Sequence, residues 1–68
     1  MKNVIRIKNM VISIKDIQVA QVYYSDYNKS YVLSISIRYQ KDNETIYYNK
    51  KENAFKDLDR IFTAIDNL

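Results

Sequence analysis

The chain has 68 residues, with eleven Lys and Arg against eight Asp and Glu for a net charge of +3, and it contains no His, Cys, Gly or Pro. Without His or Cys there are no disulfides, no imidazole or thiolate metal sites and no Cys- or His-based catalysis, and without Gly there is no glycine-rich phosphate cradle. A chain this short buries only about 60% of the surface its unfolded form exposes, so one core is the limit and oligomerisation is the remaining way to gain stability.

The first segment, Val4 to Lys8, alternates apolar and polar residues, with Ile5 and Ile7 on one face and Lys2, Arg6 and Lys8 on the other. Such alternation predicts a half-buried strand. Met10, Ile12 and Ile14 repeat the pattern in the opposite parity, so a bulge or tight corner is expected near Asn9. Lys15-Asp16 predicts a turn. Ile17 to Tyr24 is rich in strand-forming residues but ambiguous in phase, because Ala20, Val22 and Tyr24 compete with Ile17, Val19 and Tyr23 for the inward face.

Ser25 to Ser30 predicts a turn, since Asp26, Asn28 and Ser30 can bond nearby backbone, and Asn or Asp tolerates the left-handed region where glycine is absent. Tyr31 to Tyr39 predicts the clearest strand. Tyr31, Leu33, Ile35, Ile37 and Tyr39 share one face, and Val32, Ser34, Ser36 and Arg38 share the other. A polar turn around Asp42-Asn43 leads into a short return strand, Thr45 to Tyr48. From Asn49 the period lengthens, and Ala54, Phe55, Leu58, Ile61, Phe62, Ile65 and Leu68 form one broad apolar stripe, the pattern of a helix lying on a sheet. Asn49 and Glu52 have capping-box spacing, and Glu52 with Lys56 forms an i,i+4 pair. The prediction is therefore an α+β fold: a small antiparallel sheet of about four strands with a C-terminal amphipathic helix on one face, residues 1–68 forming a single compact domain.

Charge is unevenly spread. Lys2, Arg6, Lys8 and Lys15 are the only charged side chains before Asp16, whereas Asp57, Asp59 and Asp66 outweigh Lys56 and Arg60 between Asn53 and Leu68. A dipolar chain of this kind can attract nucleic acid at one end or its own copy head to tail. If the first strand lies at an edge, Lys2, Arg6 and Lys8 also guard it against stray pairing. The N-terminal segment has no unbroken apolar run, and no segment approaches the ~20 apolar residues of a membrane span, so a soluble cytoplasmic protein without membrane contact is expected.

No acidic residue is placed where burial would tune it for acid-base work, and Glu52, Asp59 and Asp66, seven residues apart along the helix, cannot close around one ion. The chain is therefore expected to be a non-enzyme with no cofactor and no metal. Its most distinctive feature is seven tyrosines and no tryptophan. A helix covers only one sheet face. The other is expected to carry Ser34, Ser36, Arg38, Tyr47 and one of Tyr23 and Tyr24. Aromatic residues with Arg on an open sheet suit stacking of single-stranded nucleic acid, and the same set supplies rigid anchors to a protein interface. Tyr is also simply a good strand residue whose hydroxyl stays wet.

The strands-then-helix order resembles, in outline, the single-stranded DNA-binding fold of the positive-cofactor transcription proteins. Ile, Lys, Asn and Tyr dominate the composition, as in AT-rich bacterial or phage genomes. In size and composition the chain is similar to small phage or mobile-element proteins that inhibit host defence machinery, such as anti-CRISPR proteins. The expected function is thus a small binding protein that occludes or bridges a macromolecular partner, most simply a protein, as a homo-oligomer. The alternative is a single-stranded nucleic-acid binder that uses the tyrosine face, Arg38 and the basic first strand.

Overall fold

A computed structural model describes residues 3–68; Lys2 lies outside them. Five strands and one long helix follow in the order β1 (Val4–Ile7), β2 (Met10–Ser13), a 3-10 turn at Ile14–Asp16, β3 (Ile17–Ser25), β4 (Ser30–Ile37), β5 (Glu44–Tyr48) and α1 (Lys51–Asp66). This is the expected α+β fold, antiparallel strands followed by a C-terminal helix packed on them, with the strands divided between a β1–β2 hairpin and a three-stranded β3–β4–β5 sheet.

The parity switch at Asn9 comes from a two-residue hairpin turn. Ile5 pairs with Ile12 and Ile7 with Met10, so odd positions of β1 face the core beside even positions of β2. Such turns need a positive φ, which Lys8 supplies at 54°. Lys29 (φ 55°) and Tyr39 (φ 72°) take up the same conformation elsewhere, so the left-handed positions of this glycine-free chain fall on Lys and Tyr, not on Asn or Asp.

The phase ambiguity of β3 is resolved by an irregularity in register. Ile17 pairs with Ile37, but Val19 already pairs with Ser36, and from there Ala20 meets Ile35 and Val22 meets Leu33. A bulge of this kind brings odd Ile17 and even Ala20 and Val22 to the same inward face. β4 stops at Ile37, earlier than the alternation predicts. Arg38 and Tyr39 then turn away, and the Arg38 amide donates to the Asp16 carbonyl at 2.7 Å.

Both the β1–β2 hairpin and α1 pack on one face of the larger sheet. Ile5, Ile7, Ile12 and Ile14 join Leu33, Ile35, Ile46 and Tyr48, and Ala54, Leu58 and Ile61 of α1 close the core. The helix begins after Lys50, which caps it through backbone geometry alone, so Asn49 and Glu52 form no capping box. Its apolar stripe is only partly used. Ala54, Leu58 and Ile61 are buried, whereas Phe55 and Phe62 remain 44% and 46% exposed and Ile65 and Leu68 project beyond the core. A polar cluster ties the helix to β1 and β5. Tyr48 Oη donates to Asp57 Oδ2 at 2.7 Å, Arg60 pairs with Asp57 at 3.2 Å, and Arg60 Nη2 donates to the Arg6 carbonyl at 2.7 Å. Among the described residues no helix is long and apolar enough to cross a membrane.

Candidate interaction face

The register of the larger sheet fixes which side chains share the face away from the helix. Tyr23, Val32 and Tyr47 form one cross-strand row, Gln21, Ser34 and Thr45 the next, and Val19 and Ser36 a third. Directly opposed residues in an antiparallel sheet point to the same side and touch. Among the described residues, no element packs on these rows. Val32 is nonetheless only 1% exposed, because it lies between Tyr23 and Tyr47, which are themselves 47% and 51% exposed. The accessible centre of the face is thus the two tyrosine rings, with the valine buried between them.

Ser34 belongs to this face but is buried, its hydroxyl accepting from Asn43 Nδ2 at 3.1 Å. It therefore supports the surface instead of presenting a contact. Ser36 is half-buried beside Val19. None of the eight residues of the three rows carries a charge. Val19, Gln21 and Thr45 join the face beside the expected residues. Thr45 shares the parity of Tyr47, whereas that of Val19 and Gln21 becomes readable only once the bulge after Ile17 is known.

Of the Tyr23 and Tyr24 pair, Tyr23 takes the place on this face and Tyr24 does not, and Arg38 is elsewhere too. Tyr24 pairs with Tyr31 on the helix side, where the two rings meet edge to face at 5.1 Å. Arg38 lies beyond the end of β4 and lines an open surface depression of about 490 Å³ together with Asp16, Gln40 and Glu44. The basic stripe is dispersed as well. Arg6 is exposed on the outer face of the small hairpin next to Val11. Lys8 stays exposed but folds over β5, donating from Nζ to the Tyr47 carbonyl at 3.2 Å and standing 4.3 Å from the centre of the Tyr48 ring. These two contacts direct the ammonium toward β5 and away from the tyrosine row.

Tyr48 sits in the polar cluster beneath Lys8. Burial pushes the Tyr48 phenol well above its ordinary range, and its hydrogen bond to Asp57 and the nearby carboxylate charge act in the same direction, while Arg60 opposes them. A phenol held protonated in this way is a hydrogen-bond donor at neutral pH, not a base. Among the described residues, no three acidic side chains gather closely enough to hold a metal ion. No protein-family model, curated protein or solved structure matches the chain.

Proposed function

We propose that this chain is a small non-catalytic binding protein that occludes the surface of a protein partner with the uncovered face of β3–β4–β5. The observation that carries this reading is the charge-free row Tyr23–Val32–Tyr47: two half-exposed rings flanking a buried valine. Charged residues are depleted at the centre of protein interfaces and tyrosine is enriched there. Two tyrosines already held by cross-strand packing lose little side-chain freedom on binding, so their contact area is gained at low entropic cost.

The nucleic-acid reading needs cations beside the rings to neutralise phosphates. Arg38 and Tyr24 are off this face and the Lys8 ammonium is engaged, which favours a protein partner. The likeness in size and composition to small inhibitors of host defence makes an enzyme of that kind the first partner to try.

The test compares wild type with a Tyr23→Ala/Tyr47→Ala variant as bait in bacterial extract, with bound proteins quantified by mass spectrometry. A protein retained by the wild type and lost at least tenfold by the folded variant is expected. Equal retention by both baits, or a salt-sensitive complex with single-stranded oligonucleotide that the double change abolishes, would overturn the reading.

A further inference from the structure

We infer that the free edge of β3, together with the exposed flank of α1, is a seam on which a second copy of this chain docks about a two-fold axis, giving a continuous six-stranded sheet. β3 is an outer strand of its sheet, so alternate residues direct backbone N–H and C=O groups outward. Edge strands that stay unpaired usually carry a lysine, a proline or an inward charge. The nine residues Ile17–Ser25 carry no charge and no proline, and their one irregularity lies at the Ile17 end. Among the described residues nothing pairs with the outer side of Val19–Ser25, so this regular run can pair with its own copy, Val22 facing Val22 at the axis.

The helix independently supplies the same symmetry. Asp57 and Arg60 face β5 and β1. At 3.6 residues per turn, Phe55 and Phe62 lie on the opposite flank, above the β3 side of the sheet, with Lys51 and Asp66 beside them. Antiparallel packing of two such helices that sets Phe55 against Phe62 of the second copy also sets Lys51 against Asp66. A single register thus satisfies the apolar and the ionic pairs, each twice.

The two devices share a midpoint. The first turn of α1 borders the Asn28–Ser30 loop beside the end of β3, and the helix also contacts the Ile14–Asp16 turn that precedes β3. Helix and strand therefore run in opposite directions, and their centres fall close to one axis. A two-fold axis perpendicular to the sheet keeps both helices on one side and both tyrosine faces on the other. The three half-exposed rings Tyr24, Phe55 and Phe62 offer on the order of 300 Å² per chain, and the strand edge from Val19 to Ser25 adds to it, toward the ~800 Å² per partner of a stable interface.

The inference goes beyond the protein-binding reading and is tested on the purified chain alone. Lys51→Glu and Asp66→Lys each suit the helix dipole and leave the monomer folded, but each turns two attractive contacts across the seam into repulsive ones. Sedimentation equilibrium at low salt should show a wild-type dimer, about tenfold weaker association for either single variant, and recovery in the Lys51→Glu/Asp66→Lys double variant. Hydrogen exchange should show alternate β3 amides becoming protected as concentration rises. A wild-type chain that stays monomeric at several hundred micromolar, or a dimer indifferent to both charge reversals, would overturn the inference. Neither residue lies on the tyrosine face, so capture of a partner by a monomeric chain would sink the dimer alone, and a dimer that captures nothing would sink only the binding reading.

Discussion

Ile61 and Phe62 are neighbours in sequence with opposite fates, and alanine at each separates a core contact from a surface one. Ile61 is 0% exposed and central to the cluster joining the helix to the hairpin and sheet. Removing its three outer carbons forfeits ~2.4 kcal/mol of transfer free energy at about 0.8 per carbon. A cavity term in a site closed on all sides brings the cost of Ile61→Ala to about 3–4 kcal/mol. Phe62 keeps nearly half its surface in water when folded, so Phe62→Ala loses at most about half of the usual 3–5 kcal/mol and leaves no enclosed void. A loss of about 1–2 kcal/mol is expected in the monomer. Urea unfolding followed by far-ultraviolet circular dichroism at low micromolar concentration measures both. Because a domain of this size is held by only about 3–10 kcal/mol, Ile61→Ala should approach complete unfolding. Equal losses at the two positions would refute the placement of α1.

Two further outcomes follow from particular contacts. Tyr48→Phe removes the hydroxyl that donates to Asp57 and should cost about 1–2 kcal/mol at pH 7. The folded state holds the Tyr48 proton to higher pH than the unfolded chain, whose phenol titrates near ~10. That stabilisation is complete below pH ~10 and is lost as pH rises toward the folded value, so the gap between wild type and Tyr48→Phe should close in alkali; a constant gap would show that the phenol is not shielded. Tyr39→Gly should raise stability by about 0.5 kcal/mol, since Tyr39 is 92% exposed and sits at φ 72°, where glycine escapes the steric cost of a side chain. Thermal melts check this, and a lowered midpoint would mean that the exposed ring contributes contacts of its own.

Much of the fold was legible because the alternation in β1, β2, β4 and β5 is strict and the helical period begins cleanly after Asn49. What escaped the sequence depended on tertiary geometry. Arg38 continues the alternation of β4 on paper, but the chain bends after Ile37 to meet Asp16, and the arginine leaves the face on which its parity placed it. Tyr23 and Tyr24 could not be told apart because the bulge after Ile17 is silent in composition. Lys8 reads as an outward charge, yet its positive φ at the hairpin turn carries the ammonium to Tyr47 and Tyr48. The helix stripe is wider than the sheet can cover, and periodicity alone does not say which flank is left over. That leftover flank of Phe55 and Phe62 and the tyrosine row are two surfaces on which, among the described residues, no other element packs.

The tyrosines themselves provide the most direct measurement. Oxidative footprinting of the chain, with and without the captured partner, reads all seven rings in one experiment. Protection confined to Tyr23 and Tyr47, with Tyr27 and Tyr39 as freely labelled as before, is the result expected of occlusion through the β3–β4–β5 face. Protection of Tyr27 or Tyr39 with Tyr47 still open would contradict it and move the binding surface to another part of the molecule.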